Sequence, residues 1–116
     1  MMAAMASPTV ALVSGDLLLA SRLRAALKGI ASVAVVAVGE VQPAELVFVD
    51  LNDDADRRIE LIASLRRDGD RRIVGFCQHD ARDVRVRAMD SGADQVVTNG
   101  ALQQAALRLV GVTAGG

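Results

Sequence analysis

Apolar residues in this chain fall into two spacings, and their alternation lays out the elements. Short apolar runs bounded by polar or turn residues occur at residues 9–13, 32–38, 46–50, 73–77 and 95–98. Their length and richness in Val and Ile predict strands. Between them the spacing turns helical. Residues 17–28 place Leu19, Leu23, Ala26 and Leu27 on one stripe, and a segment from Asp53 to about Asp68 carries Ile59, Ile62 and Ala63 on one face. Residues 80 or 81 to 91 align Ala81, Val84 and Ala88, and residues 100–112 turn Leu102, Ala106 and Leu109 inward. Capping chemistry agrees with these limits. Ser14-Gly15-Asp16 precedes the first helix, Gly29 and Gly92 follow the first and third, and Arg66-Arg67 close the second against its dipole.

The run Glu45-Leu46-Val47-Phe48-Val49-Asp50-Leu51-Asn52 organises the rest. Its apolar stretch leaves no polar face, which predicts a strand buried on both sides, as in a parallel sheet covered by helices. Strands alternating with helices imply right-handed crossovers. One link departs from this pattern. Residues 39–44 are too few for a crossover helix between the second and third strands. Skipping one strand and returning a strand length takes about 20 Å, which a short extended segment just spans. The helix expected there is therefore missing or reduced, and part of one sheet face is expected to lack its usual cover.

Composition narrows the possibilities. The 116 residues suit one domain, 1–116, with residues 1–7 and 113–116 expected to be disordered. Two Phe, no Tyr and no Trp leave a core of Val, Leu, Ile and Ala and exclude nucleic-acid binding by aromatic stacking. A net charge of −1 supplies no field toward nucleic acid or membrane. One Cys permits no intrachain disulfide, and with one His it excludes a protein-only zinc site of the usual kind. Met1 to Ala6 lacks a basic start and is read as a frayed leader, not a signal peptide. No run approaches the ~20 apolar residues of a spanning helix. The single Cys, with no disulfide to form, makes a cytoplasmic setting the expectation.

In open α/β sheets, ligands meet the carboxyl ends of the strands. Those ends gather Ser14, Gly15 and Asp16; Asp50; Cys77, Gln78 and His79; and Thr98 and Asn99. A strand-end Asp50 has three readings: a cap or loop carboxylate, a metal or phosphate-site residue, or a covalent nucleophile. No glycine-rich phosphate loop is present. Cys77 reads as a small core residue and His79 as a solvated loop residue. The pairs Arg57-Arg58, Arg66-Arg67 and Arg71-Arg72, interleaved with acids, read as a solvated mixed-charge face. On the third helix Val86 and Met89 point away from the inner stripe with Arg85 between them, which reads either as a broad core stripe with a snorkelling Arg or as a partner surface.

With these residues together, nearly the whole chain resembles the CheY-like receiver domain of bacterial response regulators. The stretches that carry the resemblance are VALVSGDLLLASRLRAAL, ELVFVDLN and RIVGFCQHDARDVRVRAMDSGADQVVTNGAL. The resemblance implies a flavodoxin-like three-layer α/β/α sandwich with strand order 2-1-3-4-5. It places Asp50 at the position that accepts a phosphoryl group from a histidine kinase. Other positions depart. Ser14 and Gly15 stand where two Mg²⁺-binding acids are usual, with Asp16 offering one carboxylate at the next position. Cys77 stands for the hydroxyl residue, Asn99-Gly100 for Lys-Pro, Val96 for the switch aromatic, and Asp54-Ala55 for a Pro-Gly loop.

Phosphoryl transfer depends on positioning and on charge neutralisation by a metal and a cation, so these departures subtract chemistry. The expectation is a degenerate, or pseudo-receiver, signalling module that is not an enzyme. It would act through a protein partner or as a homodimer, with Arg85, Val86 and Met89 as partner surface and no cofactor. The alternative is a working phosphoacceptor using Asp50, with weak Mg²⁺ binding at Asp16 and Asp50. A small-ligand or enzymatic domain ranks third, because no base or nucleophile pair converges at the strand ends.

Overall fold

Parallel strands β1 (Thr9–Val13), β2 (Ser32–Val36), β3 (Leu46–Asp50), β4 (Arg72–Cys77) and β5 (Gln95–Thr98) form one sheet in the order β2-β1-β3-β4-β5. The computed structural model describes residues 8–37, 41 and 43–115. Helices α1 (Leu17–Ala26), α2 (Ala55–Asp68), α3 (Arg82–Ser91) and α4 (Leu102–Gly115) cover the sheet, and a 3₁₀ turn at Asn99–Ala101 leads into the last. This is the CheY-like flavodoxin fold that the sequence predicts.

The period-2 alternation of strand side chains divides the core in two. Val10, Leu12, Leu46, Phe48, Val74 and Phe76 face α1 and α4, where Leu23, Leu27, Leu102 and Ala106 meet them. Ala11, Val13, Val47, Val49, Ile73 and Cys77 face α2 and α3, against Ile59, Ile62, Leu65 and Ala88. Both sets on β3 are fully enclosed, as its unbroken apolar run requires. The second core needs one omission. A Cβ on Gly75 would lie 2.7 Å from Leu51 Cδ1, so the bare backbone there makes room for the side chain that follows Asp50.

Among the described residues no helix lies between β2 and β3, as the short link requires. The bare sheet expected beneath it is narrower than predicted. Ala11 and Val13 of β1 are fully buried, and Val41 and Ala44 of the connection pack against the same core. Beside β1, Ala34 and Val36 of the edge strand β2 remain half-buried on this face. Arg24 reaches over from α1 and donates from Nε to the Val33 carbonyl at 3.4 Å, engaging one carbonyl of that strand.

Boundaries differ in detail. β2 stops at Val36, short of the predicted end at residue 38, which lies outside the described residues. The α1 backbone passes into turns after Ala26, with Gly29 at φ +85°. At the other end α4 stays helical to Gly115, beyond the expected limit at 112 and through residues 113–115, for which disorder was expected. Residues 1–7 and 116, expected to be disordered too, lie outside the described residues. Among the described residues no helix is long and apolar enough to cross a membrane.

Candidate functional site

The carboxyl ends of β1, β3 and β4 and the β5–α4 turn enclose a cleft of 540 Å³, whose lining includes Gly15, Asp16, Arg22, Asp50, Asn52, Gln78 and Asn99. Its floor is Asp50, the last residue of β3 and only 6% exposed. A carboxylate so buried needs partners, because desolvation penalises a charge left without hydrogen bonds. Every side-chain partner observed is neutral. Ser14 Oγ donates to Asp50 Oδ2 at 2.7 Å. The backbone N–H and the side-chain amide of Asn52 both donate to Asp50 Oδ1, at 2.9 and 2.8 Å.

The network continues across the sheet. Asn52 Nδ2 donates to Asn99 Oδ1 and Asn99 Nδ2 donates to Asn52 Oδ1, each at 2.9 Å. This reciprocal amide pair ties the loop after β3 to the turn after β5, leaving Asp50, Asn52 and Asn99 as one hydrogen-bonded chain. Beneath it, the Arg58 guanidinium on α2 donates to the backbone carbonyls of Asp50 at 2.9 Å and Val13 at 3.2 Å. It joins the ends of β3 and β1 without a side-chain bond to the Asp50 carboxylate.

The other expected site residues are placed as follows. Ser14 is fully buried and Gly15 lies on the cleft wall. Asp16 also lines the cleft, but its Oδ1 accepts the N–H groups of Leu18 and Leu19, both at 3.1 Å, so it caps α1. Cys77 is not among the cleft residues. It is buried in the second core, where burial pushes its thiol above the ordinary value and the Arg85 guanidinium offsets part of that rise. Val96 is half-buried in β5 against the same core. On α3, Val86 is 53% and Met89 44% exposed. Arg85 is half-buried and donates to the His79 carbonyl at 2.9 Å, which turns it from the open helix surface expected to hold it toward the preceding loop.

Fit to a divalent cation can be judged from these bonds. Mg²⁺ is held through one or two carboxylates in near-octahedral geometry. Ser14 directs its hydroxyl at Asp50, Gly15 has no side chain, and Asp16 is engaged in capping. Among the described residues no group of three or more His, Cys, Asp or Glu is arranged to hold a metal. Ser14 and Gly15 therefore supply no carboxylate where the resemblance places two, and Asp16 and Asp50 remain to hold the ion.

Sequence reasoning missed Asn52, Arg58 and Arg22. Asp50 accepts the backbone N–H two residues on, an Asx turn that its own residue type allows, but that pattern does not single out the Asn52 side chain. Arg58 carries no such signature. The solvated-face reading of the arginine pairs is corrected: Arg58, Arg66 and Arg71 are half-buried, while Arg57, Arg67 and Arg72 are exposed. Helical spacing places neighbouring residues on different faces, so one member of each pair in α2 turns toward the sheet.

No protein-family model matches the sequence, and no curated protein matches it. Solved structures do match the fold. The receiver domain of the TMAO respiratory system response regulator TorR superposes with a TM-score of 0.77 at 21% identity, covering 91% of this chain and 96% of that one. The N-terminal signal receiver domain of a two-component response regulator from Bacteroides fragilis gives 0.76 at 20% identity, over 94% and 98%. A response regulator protein from Burkholderia pseudomallei, with a phosphorylated aspartic acid, calcium ion and citrate, gives 0.74 at 21% identity, over 94% and 69%. At these identities the likeness establishes the fold.

Proposed function

We propose that this chain is a receiver-type signalling module that works by binding a protein partner, with little or no phosphorylation of Asp50. The observation that carries this reading is the Asp50 carboxylate itself, whose side-chain partners are a hydroxyl and an amide. Transfer of a phosphoryl group to that oxygen needs positive charge to neutralise the incoming phosphate. Here Ser14 and Asn52 satisfy the carboxylate with neutral donors, and Asn99 stands where the resemblance assigns a lysine. The module has no enzymatic role in this reading. Its partner is a histidine kinase or another signalling protein in the cytoplasm, or a second copy of the chain, met through the exposed Val86 and Met89. Neither nucleic acid nor membrane takes part.

The second reading is a phosphoacceptor assisted by Mg²⁺ at Asp16 and Asp50, favoured by the open cleft above Asp50. Intact-mass measurement after incubation with acetyl phosphate and Mg²⁺ separates the two. The proposal expects little or no adduct above that of Asp50→Asn. A stoichiometric adduct lost in that variant establishes the second reading instead.

A further inference from the structure

The Asn99-Gly100 dipeptide is a chemical liability that the fold restrains. Glycine has no side chain to shield its amide, and a Cβ built on Gly100 would meet nothing within 4 Å. Asn99 itself is exposed. A proline at position 100, as the receiver pattern has it, would lack the backbone N–H altogether. Against this, Asn99 has three restraints. Leu102 N–H donates to its backbone carbonyl, Asn52 Nδ2 donates to its side-chain oxygen, and its own Nδ2 donates to Asn52 Oδ1.

From this arrangement we propose that Asn99 is a deamidation site whose rate is set by Asn52. The Gly100 backbone nitrogen loses its proton and attacks Asn99 Cγ. The new N–Cγ bond forms as the Cγ–Nδ2 bond breaks, and ammonia departs carrying the proton. Water then opens the cyclic imide at either carbonyl, leaving aspartate or isoaspartate at position 99, so that the net reaction is amide plus water to acid plus ammonia. While both side-chain bonds hold, Cγ is kept on the Asn52 side and Nδ2 is engaged as a donor. The product carboxylate cannot donate. Asn52 Oδ1 loses that bond, and a further negative charge arrives in a cleft whose lining already holds Asp16, Asp50 and Asp53 beside Arg22. Deamidation thus keeps the Asn52 Nδ2 donor bond and turns the contact at Asn52 Oδ1 repulsive, irreversibly and without an enzyme.

Peptide mapping by mass spectrometry, with isoaspartate detection, follows the amide-to-acid shift at Asn99 during incubation at mildly alkaline pH. Asn52→Ala is expected to speed it about tenfold over the unmodified chain, the equivalent of about 1.4 kcal/mol for the two lost bonds. Adding Gly100→Ala to Asn52→Ala should suppress it, and the open space at Gly100 admits that methyl group. Arg66→Ala, which weakens the fold at the other end of the sheet, controls for general destabilisation and should leave the rate unchanged. Equal rates with and without Asn52, acceleration by Arg66→Ala matching that of Asn52→Ala, or persistence after Gly100→Ala would each overturn the proposal.

Discussion

The two ends of the sheet treat charge in opposite ways. At the amino ends of β4 and β5, Arg66 is fully engaged. Its Nε donates to the Gly92 carbonyl at 2.9 Å, one terminal nitrogen to the Arg71 carbonyl at 3.2 Å, and the other to Asp94 Oδ2 at 2.6 Å. The same Asp94 oxygen accepts the Ile73 N–H at 2.7 Å. Helix α2, the start of β4 and the turn before β5 are thereby joined by charge-assisted bonds, the stronger kind. At the carboxyl ends the Asp50 carboxylate has only neutral side-chain donors, while Arg58 bonds backbone carbonyls and Arg22 lines the cleft. The amino end uses charge to fix architecture. The carboxyl end leaves its buried carboxylate to neutral donors.

The sharpest way to break that contrast is to give the carboxyl end what the amino end has. Gly15→Asp with Asn99→Lys adds a carboxylate and a cation at two open positions, since nothing lies within 4 Å of a Cβ at Gly15. Acetyl phosphate labelling should rise from background toward stoichiometric, and Asp50→Asn in the same background should abolish it. Failure to gain labelling would place the block in the fold rather than in the missing charges.

The converse change removes charge from the amino end. Arg66→Ala leaves the Gly92 and Arg71 carbonyls without these donors and Asp94 without its cation. Because the pair is partly solvated, with 32% of the Arg66 and 46% of the Asp94 side chain exposed, surface screening limits the loss. Chemical denaturation should register about 2 kcal/mol. Acetyl phosphate labelling should not change.

The smallest effect concerns Cys77, at the carboxyl end of β4. Burial raises its pKa from the ordinary 9.0, so the folded state holds the thiol proton more tightly than the unfolded chain does. Its contribution to stability is fully present below the unfolded value and declines as pH rises through and above it. Cys77→Ala should remove that alkaline slope from a pH series of denaturation midpoints. At neutral pH the buried thiol should react with alkylating reagents only after unfolding.

Much of this was legible beforehand, for identifiable reasons. Strand β3 lies at the centre of the sheet because an apolar run without a polar face fits the middle of a covered parallel sheet. The short link from β2 to β3 is too brief for a crossover helix. Asn52, although it stands in the organising stretch, was legible only as a loop residue. Its partner Asn99 lies far along the chain, and nothing local in either segment indicates their pairing. The same holds for Arg58 and Arg66, whose long side chains suit a solvated face as well as a carbonyl. Backbone geometry chose between these, and chose differently for the two members of each pair.

The sequence alone therefore determined the element order, the buried central strand, the lack of a crossover helix between β2 and β3 among the described residues, and the residue types that flank Asp50. Those follow from local periodicity, from chain length and from residue identity at fixed positions. The neutral bonds that Asp50 makes, the clasp between Asn52 and Asn99, and the inward turn of one arginine per pair were decided by tertiary structure. They join residues distant along the chain, and a hydrogen bond depends on distances and angles that only the packed sheet and helices set.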